Sequence, residues 1–343
     1  MALLRTATIF LALSAAALLP AQSRDLQIIW NDVEGGAATL IVTPTGQALL
    51  VDTGWNQANG RDAKRIVAAA KAAGITKIDA LITTHFHIDH VGGTPGLAQM
   101  IPIEKFYDHG DSIEATTPPG TQLYEAYKTT AAGKRVTVKP GDKIPLSGVD
   151  ITAVSAAGQV IAKALKGGGK ANEYCKDVPQ KPEDKTENSQ SVGFLLTYGK
   201  FKFLDLGDLT WDREMMLACP DNKLGTVSLF QASHHGFSGG MSGSPALVFG
   251  LKPQVVVVND GARKGFDAAA YAEIAKIPGL EAIWQLHRAT ASTPEQNTAP
   301  DMTANLEDGA ADQGFAIKVT VAKDGKFTVT NLRNNFSKTY TAK

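Results

Sequence analysis

The sequence predicts a mixed α/β fold in one domain, on three observations. Short runs rich in Val, Ile, Leu, Thr and aromatic residues recur along the chain, alternating with helical patterns and Gly/Pro turn signals. A hydrophobic fraction of 43% over 343 residues supplies a large core. No internal repeat and no interior linker divides the chain, so one layered α/β unit over residues 24–343 is the economical reading.

Residues 1–23 are set aside first. "MALLRTATIFLALSAAALLPAQS" carries an early cation, Arg5, then an apolar run, then small residues at Ala21 and Ser23, the layout of a secretory signal peptide cut after one of those two. An uncleaved anchor is the alternative, but the run falls short of the roughly 20 apolar residues that a span needs. The chain is therefore expected to be exported, periplasmic or secreted, with no membrane span after removal of the signal. In an oxidising compartment Cys175 and Cys219 are expected to form a disulfide rather than a metal pair, with two buried thiols as the alternative.

The mature chain opens with "LQIIWNDV", "ATLIVT" and "QALLVDTG", read as consecutive antiparallel strands. Residues 61–74 form a helix with Ile66, Val67 and Ala70 on one face and a terminal glycine. "KIDALITT" is a buried strand, residues after Gly93 another short helix, and "IEKFY" a strand. A helix near 121–131 and strands near Val136 and 149–154 follow. Residues 157–188 shift to Gly, Lys, Glu, Pro and Asp and read as an inserted surface loop; its "KGGGK" lacks phosphate-loop spacing. "SVGFLLTYG" and "KFKFLDLGD" form a hairpin at Gly199. Strands in "TVSLFQAS", "QVVVVND", "EAIWQL", "GFAIKVTV" and "KFTVTNL" follow, with helices near 211–218 and 268–276. Residues 288–313 are polar and aperiodic, read as a lid or a disordered segment.

Basic and acidic residues number 34 each, which gives no strong nucleic-acid signal. A track of Lys134, Arg135, Lys163, Lys166 and Lys170 is read as ordinary solvated charge. The oligomeric state is left open.

The chemistry concentrates in "THFHIDHVGG", which holds three of the seven histidines. His85 and His87 stand two apart at a strand end, where alternate side chains share a face and can close on one ion. Asp89 and His90 lie one turn on and can serve a second. Imidazole with carboxylate suits Zn2+, one ion or two, with Mn2+ or Fe also compatible. Asp208, in "FLDLGDL" beyond a strand end, could bridge two ions or cap a helix; Asp205 sits within the strand. "LFQASHHGFSGG" sets His234 and His235 at another strand end. In an extended segment they would point oppositely, so one of the pair is expected to ligate, the choice being open, and if it is His234 then His235 could meet substrate.

These residues resemble the metallo-β-lactamase fold superfamily: "THFHIDHVGG" fits its H-x-H-x-D-H signature, "VDTG" (Asp52) its earlier aspartate, "LGD" (Asp208) its bridging aspartate and "SHHG" its late histidine. "NDVEGGAATLIVTPTGQALLVDTG", "NSQSVGFLLTYGKFKFLDLGD" and "ASHHGFSGG" look like the hydrolase domain of ComEC DNA-uptake proteins. The likeness implies a four-layer αββα sandwich with metals at one edge of the paired sheets. It also exposes a departure. Members with the full ligand set carry a further histidine before the bridging aspartate, where this chain reads "ITAVSAAGQV", a gap common among ComEC-like members. Ser155 or a water is expected in its place, and the first ion is expected to be weak or missing. His109, the only histidine in that interval, is an extra-ligand candidate.

The reaction implied is hydrolysis by a metal-activated water, whose pKa two ions lower toward ~7. Asp89 and Asp208 are the catalytic carboxylates, with Asp89 orienting the water, while Asp52 fixes the motif loop by hydrogen bonding. His287 is read as exposed, with approach to the cavity as proton donor or substrate contact as the alternative. The substrate class is an ester-type bond in a small molecule or a phosphodiester, and a lactone or β-lactam-like ring fits equally. Iron-dependent oxidoreduction on the same scaffold and a non-catalytic binding protein with a degraded site are the alternatives.

Overall fold

The computed structural model describes residues 24–56, 59–309 and 312–343; the stretch read as a signal peptide lies outside them. Two sheets dominate. One has nine strands in the spatial order Ser337–Thr341, Lys326–Asn331, Ile317–Val321, Leu26–Trp30, Thr39–Val42, Ala48–Val51, Ala80–Ile82, Phe106–Asp108 and Arg135–Thr137. The other has eight: Thr303–Asn305, Ala282–His287, Val255–Val258, Leu229–Gln231, Phe201–Asp205, Gly193–Tyr198, Asp150–Ala156 and Gln159–Val160.

Period-two side-chain alternation divides each strand between two cores. Leu26, Ile28 and Trp30 of the first strand, and Phe194, Leu196, Val255, Val257 and Trp284 of the other sheet, share the central layer. The opposite face of the first sheet, through Ile29, Leu40, Val42 and Leu50, packs on the helices Arg61–Ala72 and Pro118–Thr130 through Ile66, Val67, Tyr124 and Tyr127. The opposite face of the second, through Leu195, Val256 and Val258, packs on the helices Trp211–Ala218, Pro245–Leu251 and Ala268–Ile274 through Met215, Leu217, Leu247 and Ile274. The result is the expected αββα sandwich. Trp30 Nε1 donates to Gln231 Oε1 at 2.6 Å, a buried polar tie between the sheets.

Each sheet contains a run of parallel strands. In open α/β sheets the crevice outside the carboxyl ends of such strands is where ligands bind. Here those ends deliver Asp52, the histidine cluster and His109 from one sheet, and Asp208, His234, His235 and His287 from the other.

The first three strands are antiparallel and the hairpin at Gly199 forms, as expected. Two expectations need correction. Residues 157–188 are not a free loop. Lys170–Ala171 pairs with Asp221–Asn222, Cys175 and Cys219 are joined as a disulfide, and the segment ends in buried Glu187 and Asn188. Residues 288–313 contain the strand Thr303–Asn305, parallel to Ala282–His287. Asn297 satisfies backbone groups there by accepting from Ala289 N at 2.8 Å and donating to Thr293 O at 2.9 Å, which hydrophobic periodicity cannot reveal. The helix Pro245–Leu251 and the strand Ser337–Thr341 were not anticipated. The first carries a readable signal, Ser244 capping Leu247 N with Pro at the first turn. The second is an edge strand with only Tyr340 buried, so it lacks alternation.

Among the described residues no helix is long and apolar enough to cross a membrane. Arg135 is committed to Asp108 and Lys134 to the Ile103 carbonyl, which removes two cations from the basic track.

Candidate metal centre

The strand Ala80–Ile82 ends at Thr83, and the motif then turns tightly against the loop after Ala48–Val51. A Cβ on Gly93 would collide with the Thr53 carbonyl, so glycine is what lets the two loops touch. Asp52 lies 1% exposed at their junction. Its Oδ1 accepts from Thr84 N at 2.8 Å, its Oδ2 accepts from Thr84 Oγ1 at 2.7 Å, and His90 Nδ1 lies 2.7 Å from the same Oδ2. A carboxylate only accepts, so His90 carries its proton on Nδ1 and turns Nε2 inward.

Four imidazole Nε2 atoms surround one oxygen, Asp208 Oδ2: His90 at 3.2 Å, His234 at 3.4 Å, His235 at 3.5 Å and His85 at 3.8 Å. His87 Nδ1 is 3.0 Å from His85 Nε2, and Asp89 Oδ2 is 3.2 Å from His235 Nε2 and 3.4 Å from His90 Nε2. Ligand atoms of Asp89, His90, Asp208 and His235 all lie within 4.8 Å of one another, close enough to share an ion. Most rings are held from behind. His85 Nδ1 meets Thr84 Oγ1 at 3.1 Å, His87 Nε2 meets Glu114 Oε2 at 3.3 Å, and His235 Nδ1 meets the Asn259 carbonyl at 3.3 Å. Orienting partners of this kind are what a metal-ligating histidine requires, so the donor set fits divalent ions of the N/O class.

Against burial, Asp208 and Asp89 hold His90 well above 6.5 and Asp208 holds His235 above it, so the carboxylates draw positive charge to the centre. Burial would raise the Asp208 carboxyl, but His90, His235 and His234 outweigh it and hold it well below the usual range. Asp89 is likewise lowered against burial by His90 and His235. Burial and the neighbouring His90 push His85 well below 6.5, leaving a neutral ring. Burial takes His234 down to about 4 despite Asp208. Asp205, buried within its strand and bonded to Gly207 N and Gln231 Nε2, is pushed up to about 7 by burial.

Several expectations about individual residues change. His234 and His235 are not extended: φ is 54° and 56°, the left-handed region, so both rings turn to the same side and reach Asp208. Ser155 does not stand in for the absent histidine, because its hydroxyl donates to Ser191 O and accepts from Gly193 N, each at 2.9 Å. His109 is not placed as a ligand. Its Nε2 is 2.7 Å from Glu187 Oε1, and Glu187 also accepts from Phe86 N, so the pair braces the motif loop. His287 is not exposed but 1% accessible, with Nε2 2.6 Å from Asp32 Oδ1. Asp32, His287 and Asp312 form a second group within metal-holding distance. Arg65 already fills it, donating to Asp32 Oδ2 at 2.6 Å and to Asp312 Oδ2 at 2.7 Å.

Sequence reasoning missed Glu114, Glu187, Asn259 and Lys264. Lys264 Nζ rests on Asp89 Oδ2 and 5.0 Å above the Trp55 ring. Lys264 and Asn259 follow the end of the parallel strand Val255–Val258, so the strand-end rule would have found them; no spacing marks the two glutamates.

Residues 31–168 match the family model of the metallo-β-lactamase superfamily. The chain is 25% identical over 274 residues to Recombination protein 2 of Haemophilus influenzae, across 80% of this chain and 28% of that protein. It is 31% identical over 167 residues to a UPF0173 metal-dependent hydrolase of Cupriavidus necator, across 45% of this chain and 53% of that protein. The chain thus spans about a quarter and about half of the lengths of these relatives. The metallo-β-lactamase fold protein YhfI from Bacillus subtilis superposes with a TM-score of 0.46 at 13% identity, over 86% of this chain and all of that one. The matched span holds the motif loop, and the second sheet brings Asp208 and the late histidine pair to it from outside that span; over residues 31–168 the chain is similar to the metallo-β-lactamase superfamily.

Proposed function

We propose that the chain is an exported metal-dependent hydrolase that cleaves an ester-type bond in a small molecule or a phosphodiester. The observation that carries this reading is the convergence of four Nε2 atoms on Asp208 Oδ2, most rings being fixed by a partner on the other nitrogen. His85 and His87 would hold one ion, Asp89, His90 and His235 a second, and Asp208 would lie between them. Bound divalent ions, zinc being the first expectation, supply Lewis acidity and lower the pKa of water toward neutrality.

The chain's own groups do the rest. Asp89, only 7% exposed, accepts a hydrogen bond from the attacking water and takes its proton. Asp52 and Thr84 hold His90 and His85 in the tautomers that face inward. Glu187 anchors the peptide between His85 and His87 through Phe86 N at 3.2 Å. The metal-dependent hydrolase name of the relative in Cupriavidus necator supports the same class. Export is supported by the leader-like first residues and by the disulfide.

Protein loaded with Zn2+ or Mn2+ is to be assayed side by side on bis(p-nitrophenyl) phosphate, a lactone and a chromogenic cephalosporin, with Asp208→Asn as control. Turnover of at least one, lost on chelation and in the variant, is expected. Silence on all three and on a broader ester panel would overturn the proposal, and iron as the metal carried by the purified protein would favour oxidoreduction.

A further inference from the structure

The two proposed ion positions look unequal when donors are assigned by sequence likeness. The second has Asp89, His90 and His235, whereas the first has two histidines, the expected third is absent, and the Ser155 hydroxyl is spent on the backbone. His234 changes this. It follows the strand Leu229–Gln231 and is only 7% exposed, yet its Nδ1 has no hydrogen-bond partner among the described residues. The one polar contact that draws this ring inward is Asp208 Oδ2, itself the carboxylate placed between the two ions.

Its backbone is also costly. Consecutive non-glycine residues at φ 54° and φ 56° each sacrifice about 1 kcal/mol relative to ordinary conformations. Extended backbone would have sent one ring away, and the left-handed turn brings both to Asp208, at 3.4 and 3.5 Å. The two rings then diverge. His235 Nε2 lies 3.2 Å from both Asp89 Oδ2 and His90 Nε2, on the second-ion side. His234 falls outside the group formed by Asp89, His90, Asp208 and His235, and shares Asp208 with His85.

We propose that His234 is the third imidazole of the first ion: the histidine pair sends one ring to each ion, and the strained turn replaces the ligand that the strand Asp150–Ala156 does not provide. This rests on the metal reading of the site but not on any particular reaction. It also makes the first position a full site of three imidazoles and a shared carboxylate rather than a weak or missing one.

The test measures metal content and affinity of the full chain, by elemental analysis and chelator competition with Zn2+. Wild type should hold two equivalents. His234→Ala and His234→Asn, the latter tolerant of the left-handed backbone, should keep one tight equivalent and weaken the other at least tenfold. His235→Ala should weaken the opposite one, so that the two variants leave different Co2+ absorption spectra. Two unchanged equivalents in both His234 variants would overturn the inference and leave the hydrolase reading intact, as would a wild type holding a single ion that His234→Ala does not disturb. A wild type that binds no metal would sink both. Should the variants not fold, anomalous diffraction from zinc-loaded wild type decides. His234 Nε2 about 2.0–2.1 Å from an ion supports the assignment, and a separation beyond about 3 Å refutes it.

Discussion

Asp52→Asn exchanges one oxygen for an amide nitrogen at a position where every neighbour is specified. With Asp52 the carboxylate receives Thr84 N–H, Thr84 O–H and His90 Nδ1–H. An asparagine cannot satisfy all three. If its oxygen keeps Thr84 N, its NH2 faces His90 Nδ1, which must then accept, so the proton moves to Nε2 and the inward lone pair is lost. If the amide flips, NH2 confronts the Thr84 N–H, and a buried donor without an acceptor costs about 1–3 kcal/mol. The first outcome is the cheaper and strikes the ion. Loss of such an orienting partner weakens metal binding by about 10–100-fold, or about 1.4–2.8 kcal/mol. The unfolding entropy of a chain this long makes each lost kcal/mol worth only about 1.5 °C, so Tm should fall by a few degrees at most. Chelator competition at fixed pH measures the affinity and calorimetry the Tm. An Asp52→Asn protein that binds both equivalents as tightly as wild type would refute the tautomer argument. One whose Tm collapses would show that Asp52 serves the fold more than the ion.

Three further outcomes are expected. Lys264→Met removes the ammonium resting on Asp89 and should tighten the second ion up to about fivefold, a modest effect because the lysine side chain is 37% exposed and its charge is screened; weaker binding in a titration would contradict it. Replacing Cys175 and Cys219 together by serine opens a bridge across 44 residues and should cost up to about 4 kcal/mol of unfolding free energy, read as a lower denaturant midpoint; an unchanged midpoint would contradict it. His287, although burial lowers it, is held above 6.5 by Asp32, and Asp32, although burial raises it, is held below 3.8 by His287 and Arg65. The Asp32 contribution is present above 3.8 and fades as pH falls through its lowered value, while that of His287 is full below 6.5 and fades as pH rises through its raised value. Stability from this pair is therefore greatest between those values and declines toward alkaline pH. Plots of Tm against pH that run parallel for wild type and His287→Gln would contradict it.

Much of the centre was legible before any coordinates, because metal ligands declare themselves by residue type and position. His85, His87, Asp89 and His90 lie within six residues, and Asp208 and the histidine pair sit where buried strands end. The layered α/β class was readable for a similar reason, since period-two alternation in strands such as Leu26–Trp30 is a local property. His287 was misread as exposed because its partner, Asp32, is 255 positions away. Glu187 was lost in a segment whose composition reads as surface, although its carboxylate lies behind the motif.

What the sequence determined alone was the inventory: which side chains can grip an ion, and which strand ends carry them. Tertiary structure decided the assignment. Backbone angles at two adjacent histidines, an orienting partner for most of the rings, and an arginine filling a rival acidic group are set by packing between segments remote in the chain. Residue order does not encode such distances; they exist only once both sheets have closed on their common core.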